Sequence, residues 1–167
     1  MHFFLAKIPF SCYLCKKLKK TAKMTRGIRN NNPLNIRHGR TNWIGAALVQ
    51  TDREFVQFIS MYYGWRAALR VVRTYQKKYR IFTPEAIIHR WAPAADGNDP
   101  DSYTRRVCRI TGLGGRENLS PSDPRIEDLV LAMARIESGD AILDYRDSLH
   151  AAFLDQRPSN NPGAPQS

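Results

Sequence analysis

Among the side chains of this 167-residue sequence, Glu137 has the setting best suited to proton transfer. Ile126, Val130 and Met133 recur at spacings of four and three, as one face of a helix requires, and Glu137 continues that row four residues on. A carboxyl group there extends an apolar stripe at a helix C-terminus, just before Ser138 and Gly139. Partial desolvation and the negative end of the helix dipole both favour its protonated form. A carboxylic acid that keeps its proton near neutral pH can act as general acid on a glycosidic oxygen. The structural alternative is a helix-end glutamate that reaches water or pairs with an arginine.

The second group is the run from Arg26 to Arg37, RGIRNNNPLNIR, with four asparagines and a proline in six residues. These are turn formers, so the run predicts a loop. Each Asn amide offers both donors and an acceptor, and can fix neighbouring backbone or grip a ligand rich in hydroxyls and amides, such as a sugar. The loop itself holds no general acid, so catalysis there requires a carboxylate brought in from elsewhere.

Other carboxylates are less distinctive. Asp52 and Glu54 flank a predicted turn, and Asp96, Asp99 and Asp101 follow Trp91. Turn and cap chemistry accounts for Asp99 and Asp52. The four histidines are scattered without a ligand pair at helical spacing, and there is no glycine-rich phosphate loop or GxSxG motif. Cys12 and Cys15 form a lone CxxC without the two further ligands zinc needs, and Cys108 falls in a predicted helix. Free thiols fit a reducing cytosol, and no metal or cofactor is implied.

The elements that must position these residues are mostly helical. An apolar row of Trp65, Ala68, Leu69, Val72, Tyr75 and Tyr79 predicts a helix over 63–80. A basic row of Arg66, Arg70, Arg73, Lys77 and Arg80 runs beside it. Such a row reads first as a solvated face, and second as a contact for an anionic polymer. Thr83-Pro84, Asp99-Pro100 and Asp123-Pro124 each give a cap followed by proline, predicting helices to Trp91, over 100–111 and over 124–137. A last helix is expected near 141–154. Residues 47–50 and 54–59 suggest a small hairpin around Thr51-Asp52-Arg53. The expected class is mainly α with one small hairpin (α+β), in a single domain over 24–156.

The net charge of +11 is uneven. Residues 1–23 carry six lysines and no acid, which leaves 20 basic and 15 acidic residues in the rest. A moderately basic domain suits nucleic acid, anionic membrane or bacterial cell wall. No run approaches the roughly 20 apolar residues of a membrane span. The N-terminus makes a poor signal peptide, because its apolar part is broken by Lys7 and Pro9 and its lysines follow that part. The composition changes at Met24, which reads as the natural start, with 1–23 as a basic extension or mis-start. Residues 157–167 read as a disordered tail.

The blocks RGIRNNNPLNIR, NWIG, TDREFVQF, GWRAALRVVRTYQKKY, TPEAIIHRWAP and DGNDPDSYTRRV together resemble a group of phage and prophage virion structural proteins, over about residues 26–139. That resemblance implies a virion location, or the host cytoplasm before release, and other virion proteins as partners. More distantly, NNPxNI followed by WxG and an FxxF segment is similar to lysozyme-like glucosaminidases and lytic transglycosylases. In those enzymes a catalytic helix ending in Glu-Ser-Gly precedes the Asn motif, whereas here Glu137-Ser138-Gly139 follows it. The resemblance therefore implies either a circularly permuted lysozyme-like domain acting on peptidoglycan, with Glu137 as catalytic acid and Asp52 as a second carboxylate, or a chance match of Glu-Ser-Gly. Lytic transglycosylases use one Glu and the substrate's own N-acetyl group, so the second carboxylate is dispensable in that chemistry. Asn32 and Asn35 would line or brace the groove. Trp43, Tyr62, Tyr63, Trp91 and Tyr103 would stack on sugars, against the alternative of core packing, which is the reading preferred for Trp65. A non-catalytic virion component is the competing class, and a nucleic-acid-binding protein the third.

Overall fold

A computed structural model describes residues 24–156. The lysine-rich extension with its CxxC pair and the tail from 157 lie outside the described residues. Six helices follow in order: α1 (Arg26–Arg29), α2 (Met61–Tyr79), α3 (Pro84–Trp91), α4 (Pro100–Thr111), α5 (Arg125–Ser138) and α6 (Arg146–Asp155). Short 3-10 turns occupy Ala94–Asp96 and Asp140–Tyr145. The described part is mainly helical, as the periodicity predicts. None of these helices is long and apolar enough to cross a membrane.

Local signals explain the starts of α3 and α4. Thr83 Oγ1 accepts from Ala86 N at 3.3 Å, and Asp99 Oδ1 from Ser102 N at 2.9 Å, each ahead of a proline at the first helical position. Asp123 Oδ1 accepts from Arg125 N at 3.0 Å, so α5 opens one residue later than its Asp-Pro signal suggests. The helix expected over 141–154 is divided. Ile142 N bonds Gly139 O at 3.2 Å in a tight 3-10 turn, and α-helical geometry begins only at Arg146.

Packing follows the apolar rows. α2 lies against α6, α3 against α4, and α4 against α5, which also meets α1 and α6. Trp65, Leu69 and Val72 of α2 and Ile126, Val130 and Met133 of α5 are completely buried in one core. Truncating Trp65 or Phe153 to alanine would cost about 3–5 kcal/mol. The basic row on α2 is divided: Arg70, Lys77 and Arg80 are exposed, whereas Arg66 and Arg73 are engaged. Arg66 pairs with Asp155 at 3.5 Å. Arg73 is buried and donates to the carbonyl oxygens of Phe153 and Gln156 at the end of α6.

Two expectations are corrected in residues 24–60. Arg26–Arg29 forms one helical turn where a loop was predicted throughout. The hairpin of 47–50 with 54–59 gives no named strands, only two isolated antiparallel bridges, Arg37 with Phe55 and Ala46 with Phe58. Ala47 N bonds Gln57 O at 2.8 Å and Ile59 N bonds Gly45 O at 2.9 Å, and side-chain amides continue the pairing toward the turn. Gln57 N donates to Gln50 Oε1 at 2.7 Å, Gln50 Nε2 returns to Gln57 O at 2.9 Å, and Gln57 Oε1 accepts from Thr51 N and Asp52 N. The 54–59 segment is thereby free to bond the Asn loop, through Val56 N to Ile36 O and Phe58 N to Asn30 O, both 2.9 Å.

Candidate functional site

The end of α5 and the Asn loop are built into each other. Ser138 is buried, and its Oγ donates to Pro33 O at 3.2 Å. Thr25 Oγ1 donates to Ser138 O at 3.1 Å. Gly27 permits this approach, because a Cβ there would stand 2.2 Å from Ser138 Oγ and 3.0 Å from Asn32 O. Gly64 of α2 is equally constrained from the other side, its missing Cβ lying 1.9 Å from Asn31 O.

Within the loop the asparagines divide the work. Asn32 is fully buried, donating to Ile36 O and Val56 O at 2.9 and 2.8 Å and accepting from Ile36 N at 2.8 Å. It braces the loop and has no surface to offer a substrate. Asn30 Nδ2 donates to Asp52 Oδ2 at 2.7 Å, and Asn31 Nδ2 to Phe58 O at 2.9 Å. Asn35 adopts a left-handed conformation (φ 49°) that asparagine tolerates. Its Nδ2 lies 3.5 Å from Glu137 Oε2.

Glu137 therefore stands beside the Asn loop. On its other oxygen, Tyr103 OH donates to Oε1 at 3.2 Å, and the same hydroxyl reaches Met133 O at 3.3 Å. Burial first, and the neighbouring Glu137 second, push the Tyr103 phenol well above its usual range, which keeps it a proton donor to that carboxylate. The side chain of Glu137 is exposed, so the desolvation anticipated at this position does not occur. It opens into a groove of about 780 Å³ lined also by Asn35, Arg37, Phe55, Tyr75, Trp91, Asp96 and Asn98.

Of the residues proposed from sequence, the structure brings together Glu137, Asn35, Trp91 and, beneath the carboxylate, Tyr103. Asp52 is placed elsewhere, in a second concavity with Arg29, Arg53 and Gln57. Only 5% of its side chain is accessible. Arg26 grips it in bidentate fashion at 2.6 and 2.7 Å, and the amides of Glu54 and Phe55 donate to Oδ1 at 3.0 and 3.1 Å. The Arg26 guanidinium foremost, then the Asn30 amide, hold its carboxyl well below the usual carboxylate range. These partners make Asp52 a structural anchor.

The other aromatics lie outside the groove. Trp43 is half-buried against the core. Tyr63 packs against Gly45 and meets Tyr62 edge-on at 5.1 Å. Tyr62 is bonded to Asp155. Asp99 is a helix cap and Asp101 pairs with His89 at 3.0 Å, so Asp96 is the other carboxylate on the groove of Glu137. Sequence reasoning missed Arg37 and Phe55, and no spacing rule marks them, because the left-handed turn at Asn35 breaks the alternation that an extended segment would show. Among the described residues, no group of three His, Cys, Asp or Glu side chains is arranged to hold a metal ion.

Comparison with known proteins adds a source. The chain is similar to Protein P5 of Pseudoalteromonas phage PM2, with 38% identity over 131 residues, covering 77% of this chain and 79% of the relative. No protein-family model matches the chain.

Proposed function

The chain belongs to the family of Protein P5 of a Pseudoalteromonas phage, and we propose that it is a virion-associated phage or prophage protein whose helical domain cleaves peptidoglycan glycan strands. The observation that carries this reading is the placement of Glu137. Its carboxyl group lies between Tyr103 OH at 3.2 Å and Asn35 Nδ2 at 3.5 Å, at the wall of an open groove. The junction of Glu-Ser-Gly with the Asn loop, through Ser138 and Pro33, supports a permuted lysozyme-like arrangement in which the two motifs meet despite their reversed order.

A glycan strand lying in this groove would place a glycosidic oxygen against Glu137. Proton transfer from the carboxyl group to that oxygen breaks the bond to the anomeric carbon as the leaving hydroxyl forms. Tyr103 and Asn35 fix the plane of the carboxyl group during the transfer. The substrate's N-acetyl oxygen can attack the anomeric carbon, with water or a sugar hydroxyl completing the reaction. Trp91 and Tyr75 supply aromatic surface along the groove. If a protein carboxylate assists, position favours Asp96 over Asp52.

A non-catalytic virion component is the second reading, and it is equally compatible with membership of a phage protein family. The two separate on one experiment: release of soluble fragments from purified sacculi by the wild-type protein and by Glu137→Gln. Nucleic-acid binding through the basic row is left to Arg70, Lys77 and Arg80, because Arg66 and Arg73 are engaged by α6.

A further inference from the structure

Two arginines approach the ring of Phe55, and they differ in what else they hold. Arg26 Cζ lies 4.4 Å from the ring centroid, and its guanidinium is fully committed, bidentate to Asp52 and bonded to Glu54 at 2.6 Å. Arg37 Cζ lies 5.2 Å from the same centroid. Its guanidinium makes no hydrogen bond or ion pair with any described residue, and its side chain is exposed on the groove that holds Glu137. The bridge between Arg37 and Phe55 fixes the backbone from which both project.

Contact with an aromatic face orients a guanidinium while leaving the N–H donors at its edge unused. Those donors form a planar fork that matches a carboxylate in bidentate fashion. The other charged groups on the groove, Glu137 and Asp96, are both acidic. Arg37 is therefore the groove's cation, held ready and without an internal partner among the described residues.

We infer that Arg37 is a carboxylate-recognition residue, and that it selects glycan strands bearing acidic substituents over neutral N-acetylglucosamine polymers. This rests on the glycan reading of the groove and goes beyond it by assigning the selectivity to one side chain. Two carboxylate sources fit: the peptide stem of intact sacculi, where the lactyl carboxyl is tied up as an amide, and the lactyl carboxylate itself, which is free only on strands stripped of peptide.

Cosedimentation of the purified full chain with bacterial sacculi, with amidase-stripped glycan strands and with colloidal chitin tests the assignment. Arg37→Ala should weaken binding to sacculi or to stripped strands by about tenfold or more, the worth of one charge-assisted contact, and leave chitin binding unchanged. Arg37→Lys, which keeps the charge but loses the fork, should fall between. A loss on sacculi that disappears on stripped strands assigns the stem, and a loss on stripped strands assigns the lactyl carboxylate that the amidase frees. Equal weakening on chitin, or no weakening on either sacculi or stripped strands, overturns the inference. Turnover is read separately in the same preparations. Arg37-dependent binding without fragment release removes the enzymatic reading and leaves this inference standing. Glu137-dependent release with no effect of Arg37 does the reverse.

Discussion

Ser138 Oγ donates to the carbonyl oxygen of Pro33 at 3.2 Å, across 105 residues of sequence. This buried contact sets the end of α5 against the Asn loop and carries the neighbouring Glu137 to the groove. Ser138→Ala should cost about 1 kcal/mol in denaturant unfolding and lower turnover further than stability, because Glu137 loses its register. Unchanged turnover would separate the junction from the chemistry.

Gly27→Ala tests the same junction from the opposite side. The new Cβ would meet Ser138 Oγ at 2.2 Å and the Asn32 carbonyl at 3.0 Å, so the serine must rotate away or the helix end must shift. Both a lower melting temperature and reduced activity are expected. A variant as stable and active as wild type would show that the junction is loose.

Tyr103→Phe removes the hydroxyl that orients Glu137 and reaches Met133 O. The ring keeps its packing, so stability should fall by only about 0.5–1.5 kcal/mol. Turnover should drop roughly tenfold with little change in KM, the mark of an interaction used in the transition state. A change confined to KM would place Tyr103 in binding instead.

Asp52 gives a prediction in pH. Its carboxyl is held well below the usual range by Arg26 and then Asn30. The stability it contributes is therefore fully present above the unfolded carboxyl value of about 3.9 and is lost as pH falls toward the folded value. Asp52→Asn should melt several degrees lower than wild type at neutral pH, and the gap should narrow below about pH 4. A gap that is constant with pH would contradict the ion-pair account. Turnover per folded molecule should change little.

The helices were legible because their signals are local. Thr83-Pro84 and Asp99-Pro100 state a cap and a first turn within two residues, and the apolar rows of α2 and α5 repeat every three or four. The predicted hairpin was not, because Gln50 and Gln57 bond through side-chain amides while Phe55 bridges Arg37. No alternation of polar and apolar residues encodes that exchange. Glu137 was legible as an interruption at the end of an apolar row. Its exposure was not, since α5 ends at the groove that α2, α3 and the Asn loop leave open. The basic row of α2 is solvated at Arg70, Lys77 and Arg80, but spacing alone does not reveal that Arg66 and Arg73 meet the end of α6.

Asp96 is the groove carboxylate that distance in sequence concealed. Asp96→Asn should leave the melting temperature unchanged, since the residue is exposed in a 3-10 turn. If water attack needs a base, turnover should fall about a hundredfold. Unaltered turnover would point to attack by the substrate's own groups.

The central claim is that Glu137 is the proton donor of a glycan-cleaving groove. Its most direct test is the release of soluble fragments from purified sacculi by wild type and Glu137→Gln at matched concentration, with equal melting temperatures as the control. The account predicts release by wild type and at least about a hundredfold less by the variant. Equal release by the two, or none by the wild-type protein, would contradict it.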